Sequence, residues 1–324
     1  MTKVATLGAM VLLTLSSALA VAQTNYPEKP IRILVGFSPG TAPDITSRLL
    51  GQKFSDAWGQ PVVIENVTGA GGNLAMERAT RAGPDGYTLV FGGSGALVIN
   101  PNLMSKVGYD PLNDFTYISQ AIVSPNILVV TPNVPANNIQ ELVALAKAKP
   151  DYFVAGHAGI GSSQHLATEL FMSMAGVKIQ QVPYRGTTPV LTDLLGGHLN
   201  ITFGTTANLL PLVREGKLRA FGITTLTRSP QMPDLPTMDE LGFPGFNASA
   251  WFGLMGPAGM PKAIVEKLHN ETVKVLNEPE SRKKLESLGL QLVGNTPSEF
   301  IEVVKKELPM WGKVMKDANI SLPQ

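Results

Sequence analysis

The chain has 324 residues, a formal net charge of +1, 44% hydrophobic content and no cysteine. The missing thiols exclude disulfides, cysteine nucleophiles, iron–sulfur ligation and a lipid attached to an N-terminal Cys. Near-neutral charge without a basic run argues against nucleic acid or a membrane surface as partner, and the length allows two ordinary domains with real cores.

Residues 1–22 read as an export signal: Lys3 precedes the apolar run Val4 to Leu19, and Ala18-Leu19-Ala20 or Ala20-Val21-Ala22 supplies the small-x-small cleavage pattern. No later segment approaches the ~20 continuous apolar residues of a membrane span. The expectation is a free protein in a bacterial periplasm, without a lipid anchor.

The folded part opens at Ile31 with a branched apolar run, Ile31 to Val35, closed by Gly36, Pro39 and Gly40, which predicts a buried strand and a turn. Ile45, Leu49, Leu50, Phe54 and Trp58 then recur at helical spacing, with Asp44 where an N-cap or first-turn acid belongs. A strand, a glycine-containing loop and a helix N-terminus make a cradle for an anion, through unpaired N–H groups and the helix dipole. The pattern repeats at Val62 to Glu65 with Gly69 to Gly72 and a helix from Asn73, and again at Tyr87 to Phe91 with a loop at Gly92 to Gly95. Three such units predict a parallel α/β sheet with its loops at one C-terminal edge, where small-molecule sites lie.

From Phe115 to Thr131 the pattern becomes extended without a long helix, as a crossover between two lobes would be. The alternation resumes with helix Ile139 to Lys149, strand Phe153 to Ala155, a small-residue loop at Gly156 to Ser163 and helix His165 to Ala175. Strands at Lys178 to Val182, Leu199 to Phe203 and Arg219 to Thr224, with a helix from Pro189, complete a second parallel sheet. After a Pro/Gly-rich passage, Trp251 to Met255 reads as the return crossing, and helices at Lys262 to Leu276, Ser281 to Leu288 and Ser298 to Ala318, with a short strand at Gln291 to Val293, complete the first lobe. The division expected is 23–124 with 250–324 for lobe 1 and 125–249 for lobe 2, in an α/β two-lobed binding fold with the ligand cleft between the lobes and closure by hinge motion.

The loops carry hydroxyls, among them Ser38, Thr41, Ser94, Ser162, Ser163 and Thr205, with His165 and Arg185 as the nearby cations. Hydroxyls and amides at helix starts suit a carboxylate. A hydrolase using Ser162 or Ser163 with His165 and Asp193 lacks a recognisable elbow, and Gly92-Gly93-Ser94-Gly95-Ala96 fails G-x-S-x-G at its last position. His165 and Glu169 have ligand spacing but read more simply as a polar pair, and the glycines at Gly69 to Gly72 lack the nucleotide-binding pattern.

The segments YPEKPIRILVGFSPG from Tyr26, ENVTGAGGN, PDGYTL, YDPLNDF, GIGSSQHLATELF, VPYRGTTPVLTDLLGGHLN, RSPQMPDLPTMDELGFPG and SAWFGLMGPAGMP, in this order, resemble the Bug-type extracytoplasmic solute receptors of tripartite tricarboxylate transporters. The resemblance implies a periplasmic receptor, not an enzyme, holding a carboxylate-bearing ligand between a loop of each lobe. It places the first loop on Phe37, Ser38, Pro39, Gly40, Thr41 and Asp44, with Ser94 close by. The second falls on Gly161, Ser162, Ser163 and His165, with Tyr184, Arg185 and Gly186 lining the cleft. Asp44 is expected to cap loop amides without touching an anionic ligand. Two positions depart from the family: Thr41 replaces the second glycine of the first loop, and Gly204 stands where members often have Asp. The ligand implied is a di- or tricarboxylate such as citrate, or an aromatic dicarboxylate such as terephthalate; Phe37, Tyr184 and Trp251 either face a ring or belong to the core. The expected partners are this acid and membrane permease subunits, for a monomer without cofactor, metal or nucleic acid. A secreted carboxylic-ester hydrolase and a ligand-sensing module are the alternatives.

Overall fold

The computed structural model describes residues 25–184 and 187–320; the expected signal at 1–22, and Arg185 and Gly186, lie outside them. β1 (Ile31–Val35) leads through a loop to α1 (Ala42–Trp58), which has Pro43 in its first turn and ends on left-handed Gly59. β2 (Val62–Asn66), α2 (Asn73–Thr80) and β3 (Thr88–Gly93) follow, then a π-helical turn, Gly95–Ile99, that continues into the short α3 (Asn100–Leu103). β4 (Phe115–Ser124) and β5 (Asn126–Val130) are separated by Pro125 alone.

The second lobe continues with α4 (Ile139–Ala148), β6 (Val154–His157), α5 (Ser163–Ala175), β7 (Gln180–Pro183), α6 (Thr187–Leu195), β8 (Ile201–Thr205), α7 (Thr206–Arg214) and β9 (Arg219–Ile223). The chain returns through β10 (Ala250–Pro257) and ends in α8 (Lys262–Asn277), α9 (Pro279–Ser287), β11 (Gln291–Leu292) and α10 (Pro297–Asp317). The first sheet has the order β11-β4-β10-β3-β1-β2, the second β7-β6-β8-β5-β9.

The sequence pattern predicts two parallel sheets, and in this it is corrected: both sheets are mixed. β10 is antiparallel to β3 and β4, β11 is antiparallel to β4, and β5 is antiparallel to β8 and β9. The crossings explain β5 and β10. β4 leaves the first sheet at the C-terminal edge of the parallel strands, and Pro125 sends it directly into the second sheet at the corresponding edge, so β5 must run against its neighbours. β10 makes the reverse journey. Gly92 and Gly93, expected in a loop, instead end β3: a Cβ on Gly93 would sit 2.8 Å from the Trp251 carbonyl oxygen, so β10 can approach only a glycine there.

The C-terminal helices complete the first lobe. Leu268, Leu276 and Leu285 join the core of Ile31, Ile33 and Phe54 on one face of the sheet. On the other, Phe300, Val304, Trp311 and Met315 of α10 share a core that runs on into the second lobe through Phe153, Phe171 and Phe203. α10 opens with a capping box, Thr296 and Glu299, and touches α5.

Candidate functional site

The loops after β1, β2 and β3 converge because glycines let backbones meet. A Cβ on Gly36 would lie 2.7 Å from the Cα of Gly72, and one on Gly71 would lie 2.9 Å from Nδ2 of Asn100. Asn73 fastens this junction, its Oδ1 accepting from Asn100 Nδ2 at 2.7 Å and from the Tyr109 hydroxyl at 2.8 Å.

Within the first loop, Gly40 takes the left-handed φ of 81° and Thr41 stays extended at φ −79° as the residue before α1. The Thr-for-Gly departure therefore costs no backbone strain. The Thr41 hydroxyl donates to the Ser38 carbonyl at 2.7 Å. Beneath the loop, buried Asp44 accepts from the Gly40 N–H at 2.9 Å, from Arg48 Nε and from Asn66 Nδ2 at 2.7 Å. Asn66 also donates to the Phe37 carbonyl at 2.9 Å and accepts from Arg48. Burial by itself would raise the Asp44 pKa, but the hydrogen bonds from Arg48, Asn66 and Gly40 outweigh it and hold the carboxyl below its ordinary value. Ser38, Pro39, Gly40 and Thr41 remain exposed above this frame. The Phe37 ring is half-buried, edge-on to Phe252 at 5.2 Å.

The second-lobe loop has the same construction. Ser162 caps α5, its hydroxyl accepting from the His165 N–H, and the Gly161 N–H donates to His165 Nδ1 at 3.1 Å. An Nδ1 that accepts puts the ring proton of neutral His165 on Nε2, which faces Glu169 at 3.6 Å. His157 stacks on His165 at 4.4 Å; its burial, and then the repulsion that a second imidazolium beside it would meet, pull its pKa down to about 4, so it is neutral in ordinary conditions. Gly161 has φ 77°, and a Cβ there would lie 2.7 Å from Leu103 Cδ2 of the first lobe. Each lobe thus presents a loop at a helix start, braced from beneath by one buried side chain: Asp44 in the first, His165 in the second.

The remaining predicted residues occupy the edges. Buried Ser94 accepts from the Trp251 N–H at 3.3 Å, tying the end of β3 to the returning strand. Tyr184 donates to Asp193 at 2.5 Å, a bond that, with some burial, pushes its pKa up to about 12. Thr205 precedes α7, half-buried and with no capping bond from its hydroxyl. Gly204 lies on the wall of a hollow of about 10 Å³, the room of one water, with His157, Gln164 and Thr202. Asn66, Arg48 and His157 escaped the sequence reading. Asn66, at the end of a strand and the start of a glycine loop, carries the one signal that could have found it.

No hydrolase geometry results. The Ser162 hydroxyl meets the His165 backbone, the ring nitrogen Nδ1 is occupied by Gly161, and Asp193 is held by Tyr184. Among the described residues there is no group of three or more His, Asp or Glu placed to hold a metal ion.

Two α/β lobes linked by crossing strands, with helix-start loops at facing edges, define a two-lobed solute-binding protein. Residues 46–320 match the family described as tripartite tricarboxylate transporter family receptor, TctC, and the chain belongs to that family. It is 33% identical over 310 residues to BugT of Bordetella pertussis, which covers 95% of each chain. Among solved structures it is similar to R. palustris Rpa4515 with adipate, at 34% identity and TM-score 0.76 over 92% of this chain and 100% of that one. MatC of Rhodopseudomonas palustris, with bound malate, is 32% identical with TM-score 0.71, over 89% and 99%. Family membership makes the protein a binding receptor and not an enzyme.

Proposed function

We propose that this receptor captures a small dicarboxylic acid in the periplasm, between the loop at Ser38–Thr41 and the loop at Gly161–Ser163, and delivers it to the permease subunits of a tripartite transporter. The observation that carries the reading is the matched construction of the two loops. Asp44 and His165 are spent inside their own lobes, where they take the Gly40 and Gly161 amides and fix each loop, so that the hydroxyls of Ser38, Ser162 and Ser163 are left at helix starts, where partial positive charge favours a carboxylate. A diacid has one anionic group for each loop. Ser94, Tyr184, Arg185, Gly186 and Thr205 supply the lining, and the lobes, 23–124 with 250–324 and 125–249, close about their two crossings. The relatives solved with adipate and malate favour an aliphatic diacid over an aromatic one or citrate.

The test is a thermal-shift screen of residues 23–324 against adipate, malate, citrate and terephthalate. A ligand at a hundred times its dissociation constant adds about 2.7 kcal/mol of stability. Stabilisation by an aliphatic diacid that is recovered unchanged by mass supports the reading. Stabilisation by none of the four, at millimolar concentration, overturns it.

A further inference from the structure

Beside the crossings, on the α10 face of the first sheet, lies a cavity of about 210 Å³ that no part of the binding reading uses. One wall is α10, with Val303, Glu307 and Met310. The others come from β4 (Gln120) and from the segment entering β10 (Asn247, Ser249). Leu226, just past β9, adds a second-lobe surface. The wall is therefore shared between the lobes, and any rotation about the crossings changes its shape. The crossings are bonded to each other in the same region: Asn126 donates to the Ala248 carbonyl at 2.9 Å, and Thr224 and Ser249 share a hydrogen bond at 2.7 Å. Asn126 Oδ1, fully buried, has no partner among the described residues.

Glu307 lines this cavity at 7% exposure, and its Oε2 accepts from the indole N–H of Trp251 at 2.7 Å. Trp251 is the second residue of β10, so the bond ties the C-terminal helix to the returning crossing itself. We infer that Glu307 is a proton-linked hinge residue: its carboxyl, tied to the Trp251 indole in a wall shared by both lobes, takes up a proton more readily in this arrangement than when the lobes rotate and expose it further to water. Lobe rotation, and through it ligand affinity, is then coupled to pH near neutrality.

The surroundings of the carboxyl agree. From its own helix it meets the Lys306 ammonium and the Trp311 indole, from β10 the Trp251 indole. The groups presented by β4 and by residues 245–249 are neutral, Gln120, Asn247 and Ser249. Burial dominates the opposing effects of the two indoles and Lys306 and raises the carboxyl from 4.5 to about 7. Hydration on rotation returns it toward its ordinary value. A proton bound to one conformation and not to the other is a ligand that shifts the population between them.

The affinity consequence rests on the binding reading, while the conformational one does not, so the experiment has two arms. Small-angle scattering of the ligand-free protein at pH 5.5 and 8.5 reads lobe opening. Calorimetric titration with adipate and with malate reads affinity. The wild type is expected to be more open at pH 8.5 and to change affinity by about threefold or more across the range, and Glu307→Gln is expected to do neither. Trp251→Phe, which removes a donor that favours the charged form, is expected to move the midpoint of the transition to higher pH. A wild-type scattering profile identical at the two pH values overturns the inference, as does a Glu307→Gln protein that keeps the wild-type pH dependence. Failure of both acids to bind counts against the binding reading alone, because the scattering arm still decides the hinge.

Discussion

Replacing Asp44 by alanine removes the acceptor around which the first-lobe loop is wound. The carboxylate is 2% exposed and takes three different donors: Gly40 N–H, Arg48 Nε and Asn66 Nδ2. Their losses are unequal. Arg48 is half exposed and keeps Asn66 Oδ1, so it finds water cheaply, and Asn66 keeps the Phe37 carbonyl. The cost falls mainly on the Gly40 amide and on the charged character of the bonds, about 2–3 kcal/mol in all. For a chain of this size that lowers Tm by about 5 °C. Asp44→Asn, which keeps one carbonyl acceptor and gives up the charge, is expected to lose about half as much. Because the folded-state pKa lies below the ordinary 3.8, the stabilisation is complete above that value and disappears as pH falls below it. The gap between wild type and Asp44→Ala is then constant from pH 5 to 8 and narrows below about pH 4. Urea denaturation across this range, paired with adipate titration at pH 7, is the assay; the freed loop is expected to weaken binding by about tenfold. Unchanged stability with tighter binding would refute the reasoning, since it would make charge repulsion the residue's main effect.

Glu307→Gln has the opposite signature. A buried acid raised from 4.5 to about 7 costs the wild type stability as pH rises through that interval, and the deficit persists above it, at most about 3 kcal/mol. The glutamine variant is expected to outlast the wild type in urea at pH 8 and to lose that advantage near pH 5; an advantage independent of pH would exclude the mechanism. Gly36→Ala sets a methyl 2.7 Å from the Gly72 backbone, forces two site loops apart and is expected to cost about 1–3 kcal/mol, read by the same denaturation. Gly204→Asp, which restores the acid often found in the family, brings a Cβ within 2.6 Å of buried Leu209 Cδ1. It is expected to destabilise by about 2–4 kcal/mol, so a fully stable variant would show that Leu209 can move aside.

The strand and helix order was legible because most units have their own punctuation: Gly36 and Pro39 after β1, Gly69 to Gly72 before α2, the small-residue loop before α5; the break at Pro125 was not, and β4 and β5 read as one extended passage. Asp44 was legible as a first-turn acid, but its partner Asn66 is 22 residues away, and no local pattern announces such a pairing. The direction of β5 and β10 was hidden for the same reason. Alternating strands and helices say that a sheet forms, whereas a crossing between facing edges is a property of two sheets. Aromatic residues could not be sorted by type. Trp251 proves to be core, bonded to Glu307, and Phe37 leans on Phe252, while Tyr184 stays half-buried at the loop. Glu307 has no signal of its own in the sequence, and only its place on the buried side of the helix distinguishes it from its solvated neighbours.

The place of β10 in the first sheet governs the order in which the molecule can be built. It is an inner strand, paired with β3 through Phe252 and Gly93 on one side and with β4 through Ala250 and Ser124 on the other. Until residues 250–257 arrive, β4 has no neighbour to join and the sheet stays in two pieces. The second sheet draws only on residues 126–223 and has no such dependence. Synthesis therefore supplies every strand of the second sheet early, while the first must wait for the chain's last quarter, a long-range closure that slows folding. That delay leaves β1 to β4 without a finished sheet until most of the chain has been made.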